Sequence, residues 1–162
     1  MERLWAPWRL EYIVGSRTEG CIFCEFPQRS EDEKHHIVFR GKHAFVIMNA
    51  FPYSNGHLLI PPYRHVAYIG ELSDEENLEM MQLAQKCCAA LTEVCRPDAF
   101  NIGMNLGTVA GAGIADHLHM HVVPRWQGDT NFMPVLADVK VIPEAIETTY
   151  RKLKEAFDKL EG

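Results

Sequence analysis

The sequence predicts an α+β fold: a mainly antiparallel sheet of about five strands, one central helix and one C-terminal helix. Three observations carry this reading. Short strand-like runs follow one another at hairpin-like spacing, with turn residues between them. The segment 72–98 carries the punctuation of one long helix. A second helical run closes the chain over 143–161. Strands in succession with few helices favour antiparallel pairing over repeated β-α units.

In chain order, residues 1–20 carry Trp5, Trp8 and Tyr12 around Pro7 and read as an N-terminal extension packed onto the rest. "HHIVFRGKHAFVIMN" is two strand-like runs around Gly41-Lys42, a hairpin pattern. "FPYSNG" is a turn cluster, and "HLLIP" after it a short buried strand. In the central helix Ser73 and Glu76 have the spacing of a capping box, acidic residues fill the first turn, and Pro97 ends it. Leu83, Cys87, Leu91, Val94 and Cys95 fall near helical spacing and give that helix an apolar face. "AFNIGMNLG" and "HLHMHVVPRW" are two further strands, joined by the small-residue loop "GTVAGAGIAD". Pro143 is placed in the first turn of the terminal helix, where its missing N–H costs nothing.

The chain of 162 residues is read as a single domain, 1–162, large enough to hide about 70% of its unfolded surface. A net charge of −6 argues against a general nucleic-acid or membrane-surface binder, whose affinity needs clustered Lys and Arg. It leaves open a small anionic ligand held by a few local donors. No stretch approaches the roughly 18 apolar residues of a membrane span. "MERLWAPWRLEYIVG" lacks the basic-then-apolar order of a secretory leader. Five cysteines, an odd number in a chain of this size, point to a reducing, cytoplasmic compartment.

The chemistry concentrates in "ADHLHMHVVPRW". Three of the eight histidines, His117, His119 and His121, alternate within five residues. On a strand they share one face, while Leu118, Met120 and Val122 point into a core. A half-exposed strand using histidine as its polar residue is one reading. A three-histidine metal site is another, but side chains spaced roughly 6–7 Å apart in line fit one tetrahedral centre poorly. The third is nucleophilic catalysis, in which a neutral imidazole attacks phosphorus while its other nitrogen is held by a hydrogen bond. Flanking imidazoles then donate to phosphate oxygens or to the leaving group.

"HLHMHVV" resembles the His-φ-His-φ-His-φ-φ signature, φ apolar, of the histidine-triad (HIT) nucleotide hydrolases and transferases. "CIFC", "VIMNAFPYSNGHLLIPPYRH" and "NIGMNLG" precede it in the family's order, and "PRW" follows. "APWR" and "PRWQGDTNFMPV" resemble a bacterial branch with dinucleoside tetraphosphate phosphorylase or hydrolase activity. The resemblance implies that His119 attacks the α-phosphorus and forms a covalent nucleotidyl-histidine, its imidazole N–H held by a backbone carbonyl. His121 would bond the phosphoryl oxygens, and His117 would close the row beside His119. A related transferase branch has Gln at the third position; His121 leans toward hydrolase or phosphorylase chemistry.

By the same resemblance Asn49 bonds the ribose, although Asn at a strand end is often a turn former. His57 stands behind the triad, either orienting its neighbours or touching substrate, and Asn105 matches an amide at the phosphates. Gly107, Gly111 and Gly113 allow backbone N–H groups close to an anion, or simply make a connection. Many relatives have Ser or Thr before the triad; here Gly113 and Ile114 leave only backbone donors. Trp126 either bounds the leaving-group side or belongs to the core. Alone, Cys21 and Cys24 are compatible with a redox pair or two ordinary thiols. The resemblance implies a structural zinc held by Cys21, Cys24, His65 and His117, with no metal needed for the proposed chemistry. Cys87, Cys88 and Cys95 read as small buried hydrophobes.

The implied activity is cleavage of dinucleoside polyphosphates, adenine-containing ones such as diadenosine tetraphosphate above all. A nucleoside phosphoramidate hydrolase and a nucleotide-binding regulator are the alternatives. The resemblance also implies a homodimer whose protomers share a continuous sheet.

Overall fold

The computed structural model describes residues 20–112, 114, 116–129 and 142–161. The expected extension, apart from Gly20, lies outside them, as does Gly113. Five strands form one sheet: β1 Ile37–Arg40, β2 Phe45–Met48, β3 Leu58–Ile60, β4 Ala99–Met104 and β5 Met120–Arg125. Their order is β1-β2-β3-β5-β4, and every pairing is antiparallel. Two short helices, α1 Ile22–Glu25 and α2 Asp32–His35, precede the sheet; the sequence reading did not foresee them. The long helices are α3 Asp74–Cys95 and α4 Ile146–Glu161. No helix among the described residues is long and apolar enough to cross a membrane.

Alternation along the strands separates two faces. Val38, Val46, Met48, Leu58, Ile60, Met120 and Val122 pack with α3 and α4 in the main core. From α4 this core takes Tyr150, Leu153, Ala156 and Phe157, a one-sided helical stripe. Ile37, Phe45, Ile47 and Leu59 project to the opposite face and cluster around Phe23 of α1. Each fully buried Leu or Phe contributes about 1.5–3 kcal/mol, so the helix-bearing face supplies most of the stability. The helix cap adds about 1 kcal/mol. It takes the expected form: Ser73 Oγ accepts from Glu76 N–H, and the Glu76 carboxylate accepts from Ser73 N–H.

Two boundaries differ from expectation. Helix α4 begins at Ile146, three residues after Pro143, because the Ala145 carbonyl is the first to accept, from Thr148 and Thr149. Glu144 is instead bonded by the Thr149 hydroxyl. The ladder of β5 begins at Met120, so only His121 of the three histidines lies within the hydrogen-bonded strand. Its partner β3 ends at Ile60, opposite Met120, and Pro61 and Pro62 follow with no N–H to continue the ladder. The preceding segment is fixed separately, by Leu118 N–H donating to the Val66 carbonyl at 2.7 Å.

Candidate active site and metal centre

His121 pairs across the sheet with Leu59 on β3 and Gly103 on β4, so it lies on the face opposite the long helices. His119, two residues earlier, shares that face; the two rings meet edge-on with centroids 4.8 Å apart. All three triad histidines are buried. Burial lowers the pKa of each, so the rings are neutral near pH 7. For His121, burial and then the neighbouring His119 ring bring it down to about 4.

Hydrogen bonds assign the tautomers. His119 Nδ1 lies 2.9 Å from the His117 carbonyl, which can only accept, so Nδ1 carries the proton and Nε2 the free lone pair. Behind His121 stands His57, fully buried. The Tyr53 backbone N–H donates to His57 Nδ1 at 3.0 Å, and the Asn49 amide is 3.2 Å from the same atom. His57 therefore holds its proton on Nε2 and donates it to His121 Nδ1 at 2.9 Å. His121 is left with an Nε2–H that is buried and meets no hydrogen-bond partner among the described residues. A buried donor left unpaired costs about 1–3 kcal/mol, which an acceptor arriving in the site relieves.

Sequence reasoning did not single out Tyr53. Its backbone sets the His57 tautomer and its ring stacks on His121, centroids 5.7 Å apart at 15°. Asn49 turns inward, its Oδ1 accepting from Phe51 N–H at 2.9 Å, so it supports the His57 turn as well as standing at the strand end. The loop after β4 starts beside His119, since Met104 pairs with Met120. There the Asn105 amide reaches the Gly111 carbonyl at 3.5 Å, and Gly107 and Gly111 both take positive φ, which glycine adopts without strain. Trp126 is placed elsewhere: its indole N–H donates to the Cys95 carbonyl at the end of α3. Five residues of strand, roughly 16 Å, separate it from His121.

A second cluster adjoins the first. One donor atom from each of Cys21, Cys24, His65 and His117 lies within 4.8 Å of the others. His117 Nδ1 is 3.2 Å from Cys21 Sγ, 3.5 Å from Cys24 Sγ and 3.2 Å from His65 Nδ1; Cys24 Sγ is 3.3 Å from His65 Nδ1. The other His117 nitrogen, Nε2, donates to the Pro62 carbonyl at 2.8 Å, which leaves the Nδ1 lone pair aimed into the cluster. Ideal tetrahedral zinc, with Zn–N of about 2.0–2.1 Å and Zn–S of about 2.3 Å, spaces its donors by about 3.3–3.8 Å, near the observed separations. Without a cation, burial and then the Cys21 side chain push the Cys24 thiol up to about 11. Two thiols and two imidazoles are a fitting donor set for zinc. Cys87 is buried in the core, while Cys88 and Cys95 are half-buried beside it.

The antiparallel sheet, its covering helices and the row of buried histidines define a protein of the histidine-triad type. A family model described as the HIT domain matches residues 30–128, and the chain belongs to the histidine-triad family of nucleotide hydrolases and transferases. Over 162 residues it is 42% identical to the AP-4-A phosphorylase of Mycobacterium tuberculosis (strain CDC 1551 / Oshkosh), across 94% of this chain and 83% of that one. Among solved structures it resembles a zinc-bound histidine triad family protein from Mycobacterium smegmatis, with a TM-score of 0.70 and 27% identity. That match covers 88% of this chain and 96% of the other. A hypothetical histidine triad nucleotide-binding protein from Sulfolobus tokodaii shares the fold, with a TM-score of 0.70 at 23% identity. It covers 87% of this chain and 94% of its own.

Proposed function

We propose that this protein cleaves dinucleoside polyphosphates, diadenosine tetraphosphate in particular, at an α-phosphorus, with His119 as the nucleophile. The observation that carries this is the tautomer pair: His119 presents a lone pair on Nε2 beside an Nε2–H of His121 that has no partner among the described residues. In the first step His119 Nε2 forms a bond to phosphorus as the bond to the rest of the polyphosphate breaks in line. Nδ1 keeps its proton against the His117 carbonyl, so the positive charge of the phosphorylated ring is shared with a carbonyl dipole. His121 donates to a non-bridging oxygen and stabilises charge as it develops there. His57 and the Tyr53 N–H hold that donor in place, and the positive φ of Gly107 and Gly111 suits that loop to turning backbone N–H groups toward the phosphates.

In the second step an acceptor attacks the nucleotidyl-histidine. Phosphate as acceptor gives a nucleoside diphosphate, whereas water gives a monophosphate. We assign phosphate, supported by the extended likeness to a protein named for that reaction. Cys21, Cys24, His65 and His117 would hold zinc, which supplies a structural cross-link between α1 and the triad segment. The five free cysteines accord with a reducing, cytoplasmic setting. A homodimer through paired β4 edges accords with that strand's exposed side chains, Ile102 among them.

Product analysis of diadenosine tetraphosphate cleavage tests the assignment. With phosphate present, ADP and ATP should form in equal amounts, and turnover should fall at least tenfold when phosphate is withheld. AMP and ATP at an unchanged rate in both conditions would replace the phosphorylase by a hydrolase.

A further inference from the structure

His117 belongs to both sites. Its Nδ1 faces the cysteines, while its backbone carbonyl holds His119 Nδ1 at 2.9 Å. A second link runs through α1: Phe23, between the two cysteines, is buried edge-on against His117 at 5.4 Å and tilted against His119 at 5.1 Å. The turn that carries the thiols, Cys21 at the cap of α1 and Cys24 within it, is therefore also the wall of the proposed nucleophile.

The thiols are placed to react with each other. Cys24 N–H donates to the Cys21 carbonyl at 3.0 Å, so the two residues sit across one turn. Their sulfurs lie within 4.8 Å, and a disulfide there requires side-chain rotation rather than movement of a distant segment. Cys21 and Cys24 are partly exposed and His65 is exposed, which gives an oxidant access; Cys87, by contrast, is sealed in the core.

We propose that the Cys21–Cys24 pair is a redox release for the nucleophile: oxidation to a disulfide ejects the metal, frees His117, and lowers turnover by loosening His119. This rests on the zinc and nucleophile assignments made above. The oxidant class is a peroxide. The Cys21 and Cys24 thiolates give up one electron each and join as a disulfide, the peroxide O–O bond breaks, and two protons from solvent complete two waters. His65 and His117 alone would then be left to hold a metal, half of the donor set a closed tetrahedral zinc site needs. His57 is held by the Tyr53 N–H and the Asn49 amide and bonds His121, so nucleotide binding is expected to be retained while the chemical step slows.

The test treats the intact, zinc-loaded protein with one equivalent of hydrogen peroxide. Zinc in solution is followed with a chromogenic chelator, the disulfide is located by peptide mapping, and amide exchange is measured over 117–123. The proposal expects one zinc released per Cys21–Cys24 disulfide and faster exchange over 117–123. It also expects kcat lowered at least tenfold with KM within threefold, and all of these reversed by dithiol plus zinc. Release of zinc with unchanged exchange and unchanged kcat overturns the release mechanism and leaves the proposed activity standing. A protein that takes up no zinc overturns the metal assignment and this inference with it. If diadenosine tetraphosphate proves not to be the substrate, the exchange measurement still decides, because it reads His119's segment directly.

Discussion

At the scale of single residues, the site is organised by where protons sit. Tyr53 N–H, His57 and His121 form a one-way chain of donors that ends in an Nε2–H aimed at the site. This order exists only while His121 is neutral, and burial and then the His119 ring bring its pKa to about 4. The folded state therefore binds fewer protons here than the unfolded chain, whose histidine titrates near the ordinary 6.5. His121 contributes stability that is fully present above about pH 6.5 and is lost as pH falls toward 4. Urea denaturation between pH 7 and 4.5 should show this as a slope. In His121→Gln the dependence should be shallower, by up to about 1.4 kcal/mol per pH unit in that window. Parallel profiles for the two proteins would mean that the ring is charged in the folded state.

At the scale of elements, the junction of β4 and β5 leaves open space beside His121. Gly103 lies directly opposite His121, and a Cβ built on it would meet nothing within 4 Å. A branched side chain there fits a strand backbone but fills the space beside the donor. Gly103→Val should lower kcat/KM for diadenosine tetraphosphate at least tenfold while the melting temperature stays level or rises; steady-state kinetics beside calorimetry checks this. Full activity in the variant would place the substrate elsewhere. The strands themselves were legible because apolar and turn residues alternate at short range. The cap of α3 was legible because Ser73 and Glu76 sit three residues apart. The start of the β5 ladder was not, since it depends on Pro61 and Pro62 in another strand's continuation. Nor was the part played by Tyr53, which acts through a backbone N–H and a ring 68 residues from His121 along the chain. Trp126 adjoins the triad in sequence but lies just past the far end of β5, a distance that a motif conceals.

At the scale of the whole molecule, the sheet divides labour between its faces. One packs against α3 and α4 and carries the core; the other carries Phe23, the histidines and the cluster of Cys21, Cys24, His65 and His117. The metal cluster shows how far sequence reaches: its members are 96 residues apart from Cys21 to His117, and only resemblance to a family joined them before folding did. All of this chemistry turns on whether His119 becomes covalently nucleotidylated. Its most direct test is rapid quenching of the protein during diadenosine tetraphosphate turnover in the absence of phosphate, followed by peptide mass analysis under conditions that spare the acid-labile bond. The expected result is an adenylyl group on the peptide spanning His119, discharged when phosphate is added, and neither adduct nor turnover in His119→Ala. An adduct on another residue, or more than a tenth of wild-type activity in His119→Ala, would contradict it.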